Sequence, residues 1–248
     1  MSKNSTRVAL ITGAAQRIGA AIARALHQSG SNVIIHYRTK QQAAEQLCLE
    51  LNQLRAHSAI SLQADLCDLT ALEKLASSAI EYWGRLDILI NNASSFYATP
   101  IGKSTPEQWD DLIGSNLKAP FFLAQALACE LKKNSGCIIN MADIYAQKTR
   151  PQHTIYCCAK AGNVMLTKSL AQELAPEVRV NGIAPGAILW PEENQNNEIQ
   201  KTITQRTALK RVGSEADITA AVMFLVDNAA FITGHVMPID GGRNLSAC

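Results

Sequence analysis

Tyr156 and Lys160 stand four residues apart in a segment with helical periodicity, so both side chains project from one face. An ammonium beside a phenol lowers the cost of forming a tyrosinate, and the phenol can then pass a proton to a reacting ligand. Tyr-x-x-x-Lys arises by chance on many surface helices. It gains weight from two other segments: a glycine-containing turn, Thr12-Gly13-Ala14-Ala15-Gln16-Arg17-Ile18-Gly19, after the first apolar run, and Asn91-Asn92-Ala93 at the end of the fourth.

Glycine at position 13 permits a turn that a Cβ would obstruct, and the amides at the start of the next helix favour phosphate. Gly19 lets that helix pack closely on a sheet. The segment is not G-x-G-x-x-G, because Arg17 takes the place often given to the middle glycine. Arg17 is placed to reach a pyrophosphate or a polar group on the substrate; the plainer alternative is a solvent-facing arginine. At the end of the second strand, His36-Tyr37-Arg38-Thr39-Lys40 puts cations where an NAD site usually has an acid against the ribose diol. A phosphomonoester carries more than one negative charge near neutral pH and arginine matches it bidentately, which favours NADP over NAD. Otherwise Arg38 only caps the sheet edge. Asp65 is positioned either to accept from adenine N–H groups or to cap the next turn. Small residues at 91–93 allow close approach of a cofactor. The combination implies a nucleotide-dependent reductase.

The elements that position these residues alternate. Short apolar runs predict strands at 7–11, 33–37, 59–63, 86–90, 137–141, 178–183 and 235–239. Helical periods predict helices over 18–28, 40–56, 70–82, 106–131, 156–174 and 214–226. Thr105 is the expected N-cap of the fourth helix, and Pro120 predicts a kink or break near Lys118-Ala119. Repeated strand–helix units give a single Rossmann-type α/β domain, a doubly wound parallel sheet of about seven strands spanning 1–248. The polar stretch 187–211 follows the sixth strand, on the ligand-binding edge of such sheets, and reads as a mobile helical lid.

Composition narrows the class further. The 248 residues are 47% hydrophobic and 18% charged, as in a folded globule. A net charge of +2 and scattered basic residues point to no nucleic-acid or membrane partner. No run approaches the roughly 20 apolar residues that span a bilayer, and residues 1–6 lack a signal-peptide core, so a cytoplasmic protein is expected. The cysteines at 48, 67, 129, 137, 157, 158 and 248 follow no zinc spacing. Most read as buried small hydrophobes in a reducing compartment, and no metal is expected.

The residues and their order resemble the short-chain dehydrogenases/reductases over essentially the whole chain. That family's pattern appears here as Thr12 to Gly19, Asn91-Asn92-Ala93-Ser94, Asn116, Asp143, Tyr156-Cys157-Cys158-Ala159-Lys160, Pro185-Gly186, Ile232-Thr233-Gly234 and Asp240-Gly241-Gly242. Three departures, Arg17 and Ser94 for glycines and Asp143 at the catalytic serine position, resemble pteridine reductases. So do Ser95-Phe96-Tyr97 and His36-Tyr37-Arg38. The resemblance implies an NADPH cradle that also includes Ile18, Leu66, Asn92, Ala93, Pro185 and Gly186. It implies that Phe96 covers one face of a pterin whose other face lies on the nicotinamide, with Arg17, Ser94 and Tyr156 at its polar edge. Asp143 would orient Tyr156 or share in proton delivery, while Tyr97 or Trp190 would help to wall the pocket. Lys160 would hold the ribose hydroxyls, and Asn116 would link it to solvent through its backbone and a water. A homotetramer using the Asn116 and Tyr156 helices is implied as well. The rivals are an NADP-dependent reductase of a 3-oxoacyl thioester, sugar or steroid ketone, and a non-catalytic NADP-binding sensor.

Overall fold

The computed structural model describes residues 6–188 and 197–245. Seven strands form one sheet: β1 (Val8–Ile11), β2 (Asn32–Tyr37), β3 (Ala59–Gln63), β4 (Ile88–Asn91), β5 (Cys137–Met141), β6 (Arg179–Pro185) and β7 (Val236–Ile239). Their order is β3-β2-β1-β4-β5-β6-β7 and every pairing is parallel. Side chains alternate faces along a strand, so β1 divides its residues between two cores. Ala9 and Ile11 pack with helices α1 (Arg17–Gln28), α2 (Gln41–Leu54) and α8 (Glu215–Asp227). Val8 and Leu10 pack with α3 (Leu69–Glu81), α5 (Ala119–Lys133) and α6 (Thr154–Glu173). Burial on both faces explains why the strands read as unbroken apolar runs.

The chain reverses its winding between β1 and β4, where the carboxyl ends of adjacent strands leave a crevice for ligands. The expected long helix is two helices. α4 (Pro106–Ile113) starts at a capping box between Thr105 and Gln108, and a π-helical turn, Gly114–Lys118, then leads into α5. Pro120 lies in the first turn of α5, where its missing N–H costs least. The insert also carries α7 (Asn197–Gln205). Its far end is fastened to the sheet edge, because Leu209 N–H donates to the Gly241 carbonyl at 3.0 Å and Gly213 N–H to that of Ala187 at 2.9 Å.

One expectation changes here. Only Cys48 and Cys137 of the six described cysteines are buried; Cys129 and Cys158 sit on outward helix faces. Trp190 and most of the segment before α7 lie outside the described residues. Among the described residues no helix is long and apolar enough to cross a membrane, and no cluster of three metal-ligating side chains occurs.

Candidate active site

The turn after β1 is held almost wholly by side chains that spend themselves on it. Thr12 Oγ1 accepts from the amides of Asn92 and Ala93 at 2.9 and 3.0 Å, and Asn92 Nδ2 donates to the carbonyls of Thr12 and Gly13 at 2.8 and 3.1 Å. Gly13 has φ +61°, and a Cβ on Gly19 would stand 2.5 Å from the Gly13 carbonyl oxygen. Arg17 also has positive φ, +54°, which explains why its position suits glycine. α1 then begins with no side-chain cap and no acid in its first turn. Uncapped amides at a helix start are an anion site.

His36 does not act as a cation. It is 2% exposed, its Nδ1 accepts the Gly13 N–H at 3.0 Å, and its Nε2 faces the Ala64 carbonyl at 3.1 Å. Burial pulls its pKa down to about 4, so the neutral ring with its proton on Nε2 braces the turn. Tyr37 is buried behind it, which leaves Arg38 and Lys40 as the exposed cations at and just past the end of β2. Arg38 contacts Asp111 at 3.5 Å, a weak half-exposed pair that an anionic ligand could replace. Asp65 takes its capping alternative with one oxygen, since Oδ1 accepts from Cys67 N–H at 3.0 Å.

A cavity of about 420 Å³ runs along this end, lined by Gly13, Arg17, Arg38, Asp65, Asn92 and Ser94 among others. Ile18, Gly19, His36, Tyr37, Leu66 and Ala93 also touch it; Pro185, Gly186, Phe96 and Tyr156 do not. Gly186 instead packs against Asp240, where a Cβ would meet the Asp240 Cα at 2.8 Å.

Beyond Ser94 lies the second half of the site. Tyr156 Oη donates to Asp143 Oδ2 at 2.7 Å, and Asp143 Oδ1 accepts from Tyr145 N–H at 2.8 Å. Lys160, 2% exposed, donates to the Met141 carbonyl at 2.7 Å and lies 5.7 Å from the Tyr156 ring centre. Burial pulls the Lys160 pKa down to about 8, against the opposing pull of Asp143. The expectation of a tyrosinate made easier by Lys160 is corrected: Tyr156 is pushed well above the usual phenol range. Burial is the main cause and the Asp143 charge and hydrogen bond add to it, while the Ser94 hydroxyl opposes. Burial likewise raises Asp143, although Tyr145, Tyr156, Lys160 and Arg150 all favour its ionised form. A buried phenol and carboxyl joined by one hydrogen bond share their titration.

A string of buried amides fixes α6 over this end. Asn91 donates to Asn140 at 2.8 Å, Asn140 to Thr167 at 2.9 Å, and Thr167 to the Asn163 carbonyl at 2.9 Å. Asn163 in turn donates to the Asn116 carbonyl at 3.0 Å, so one lone pair of the expected solvent link is taken by protein. Asn116, in the π-turn, accepts from Ser94 Oγ at 2.7 Å and donates to the Ser95 and Leu112 carbonyls at 2.9 Å each. Phe96 is 49% exposed and meets Tyr156 edge-on with ring centres 4.8 Å apart, but its ring also stacks on His153 at 4.9 Å. Tyr97 packs against the Leu112, Ile155 and Tyr156 cluster while its hydroxyl donates to Asp111 at 3.0 Å.

Sequence reasoning missed His153, Arg150, Asn163 and Asp111. Asn163 was within reach, since it lies three residues after Lys160 on the same helical face. The others reach the site only through loop and helix packing.

The family model described as enoyl-(acyl carrier protein) reductase matches residues 13–244. The chain belongs to the short-chain dehydrogenase/reductase family. It is therefore an NAD(P)-dependent oxidoreductase. Pteridine reductase 1 of Leishmania tarentolae is 35% identical, covering 96% of this chain and 96% of that protein. The 3-oxoacyl-[acyl-carrier-protein] reductase of Synechocystis is 34% identical, with 98% of each covered. FabG of Staphylococcus aureus Mu50, of the same description, is 32% identical, with 96% and 98% covered. A solved structure provisionally assigned as a short-chain alcohol dehydrogenase from Sinorhizobium meliloti 1021 aligns with a TM-score of 0.91 at 33% identity, covering 98% of both chains. The cradle of this short-chain reductase fits a dinucleotide: an uncapped helix start, a glycine turn with its polar side chains already satisfied, and one exposed guanidinium at its far end.

Proposed function

We propose that this short-chain reductase is an NADPH-dependent pteridine reductase that converts a dihydropterin to a tetrahydropterin. The observation that carries the reading is the 2.7 Å hydrogen bond from Tyr156 to Asp143, with the Phe96 ring against the phenol. When bound, the reduced nicotinamide supplies the hydride. The first-turn amides of α1 would hold its pyrophosphate, Arg38 its 2′-phosphate and Lys160 its ribose hydroxyls.

Reduction of a ring C=N adds a hydride to carbon and a proton to nitrogen. Tyr156 is the proton donor. In this structure its hydrogen points at Asp143, so the productive state requires a proton on Asp143. The carboxyl then donates to Oη, frees the phenolic hydrogen for the substrate nitrogen and restores the phenol afterwards. A buried carboxyl with a raised pKa suits that role. Phe96 and His153 offer aromatic surface to a flat heterocycle, and Ser94 and Arg17 stand at the polar edge.

The second reading, a 3-oxoacyl thioester reductase, is favoured by the FabG relatives at similar identity. Asp143 weighs against it, because the carboxyl must first take up a proton before it can face the oxyanion that ketone reduction develops, where a neutral hydroxyl needs none. The deciding assay follows NADPH oxidation with dihydrobiopterin, dihydromonapterin and a 3-oxoacyl thioester in parallel. Turnover of the pterins is expected; turnover of the thioester alone would select the second reading. We also propose self-association through α4, α5 and α6, whose outward faces carry Trp109, Phe121 and Met165.

A further inference from the structure

Asp111, near the end of α4, ties the two ends of the cleft together in a way that neither hydride nor proton transfer uses. Its Oδ1 meets Arg38 Nη1 at 3.5 Å and accepts from Ser95 Oγ at 3.2 Å, while Oδ2 accepts from Tyr97 Oη at 3.0 Å. One carboxylate therefore contacts the cation after β2 and both residues that flank Phe96 in the chain. Burial, together with the Asp111 hydrogen bond and charge, pushes the Tyr97 phenol up to about 12, so it remains a donor at neutral pH. The Tyr97 ring below that hydroxyl is fixed in the Leu112, Ile155 and Tyr156 cluster.

Neutral bonds set where this loop runs. Ser95 N–H donates to Ser115 Oγ at 3.2 Å, Ser115 Oγ donates to the Asp111 carbonyl at 2.8 Å, and Asn116 donates to the Ser95 carbonyl at 2.9 Å. The Asp111 carboxylate adds the charge-assisted bonds, which are the stronger kind, and they fall on either side of Phe96. Phe96 itself is half-exposed, so its ring is placed by its chain neighbours and by the His153 and Tyr156 rings. The Arg38 contact is long and half-exposed, and such a pair is weak. A phosphate dianion offers the guanidinium two short parallel bonds instead. With Arg38 drawn away, the Asp111 charge is left to the Ser95 and Tyr97 hydroxyls.

We propose that Asp111 is a positioning residue that couples recognition of the cofactor's 2′-phosphate to the hold on the Phe96 loop, and so to binding of a flat heterocycle. This rests on the NADPH-dependent pteridine reductase reading. The phosphate takes Arg38 from Asp111, the carboxylate tightens on Ser95 and Tyr97, and the Phe96 ring is held in place for the substrate. A dinucleotide without that phosphate leaves Arg38 on Asp111 and the loop less firmly held. Coupling of this kind is reciprocal, so the heterocycle strengthens binding of the phosphorylated dinucleotide by the same factor.

The test measures binding of a non-reducible 2,4-diaminopteridine to protein saturated with NADP+ or with NAD+, in wild type, Asp111→Asn and Tyr97→Phe. In the wild type the pteridine should bind at least about fivefold tighter to the NADP+ form. Asp111→Asn keeps the shape and loses the charge. There the ratio should fall to about one, while NADP+ alone binds as tightly as in the wild type or tighter, because its arginine is no longer shared. Tyr97→Phe keeps the ring in its cluster and removes one donor; it should lower the ratio and leave the NADP+ Kd within about twofold. A wild-type ratio of about one, or a wild-type ratio kept in Asp111→Asn while both ligands weaken together, would overturn the proposal and leave Asp111 as a brace for α4. Failure of the pteridine to bind either loaded form would instead remove the pteridine reading beneath it.

Discussion

The two ends of the cleft are built on opposite plans. At the nucleotide end the side chains are spent on the protein itself: Thr12, Asn92 and His36 all bond to backbone and brace one turn. What remains for a ligand is amides, small residues and the exposed cations Arg17, Arg38 and Lys40. At the chemical end the side chains are the working parts. Tyr156, Asp143 and Lys160 are buried with shifted pKa values, and Phe96 and Arg150 border them. The first end reads a feature shared by many cofactor-using enzymes and is set by backbone shape. The second must choose a substrate and is set by side-chain chemistry.

That contrast breaks most sharply at Tyr156. Tyr156→Phe should lower kcat about a thousandfold while leaving the NADPH Kd within about twofold, by stopped-flow turnover and fluorescence titration. Matching losses in both would mean that the two ends are not separable. At the other end, Gly19→Ala pushes a Cβ to 2.5 Å from the Gly13 carbonyl oxygen. It should cost about 1–3 kcal/mol in urea unfolding and weaken cofactor binding, with no effect on the intrinsic chemical step. Arg38→Ala should weaken NADPH about tenfold to a hundredfold and leave NADH nearly unchanged. Equal effects on both cofactors would remove Arg38 from phosphate recognition.

Titration separates the ends again. Lys160, with its pKa pulled down to about 8, is charged below that pH and loses its proton above it. Activity should therefore decline as pH rises through about 8, and Lys160→Arg should move that limb upward in a kcat/KM profile. His36 works through stability. Its folded pKa of about 4 lies below the ordinary value of about 6.5, so the unfolded chain takes up the proton first as pH falls. The stability it contributes is whole above about 6.5 and is lost as pH falls through about 4. His36→Gln should flatten the slope of Tm against pH in that window.

The fold was legible because both sheet faces are buried. β2, β3 and β5 lie within a residue of their apolar runs, and Pro120 marked the break after Lys118. The π-turn itself was not legible, since Gly114–Lys118 keeps ordinary helical spacing in sequence. The nucleotide end was legible as a motif, but the part His36 plays in it was not: only its burial makes the ring a neutral brace for the turn. At the chemical end Tyr156, Lys160 and Asp143 were named from sequence, whereas the direction of the phenol's pKa was not. Whether Lys160 or Asp143 prevails depends on burial and on which of them bonds the phenol, and sequence spacing gives neither. Arg150 and His153 meet Phe96 from more than fifty positions away, a contact made by the fold alone.

The direct probe of the phenol–carboxyl pair is Asp143→Ser, read as the ratio of kcat/KM for dihydrobiopterin to that for a 3-oxoacyl thioester. A neutral hydroxyl removes the proton reserve for a ring nitrogen and needs no prior protonation to face an oxyanion. The ratio should fall at least about tenfold toward the thioester. A ratio equal to that of the wild type would mean that Asp143 does not select the substrate.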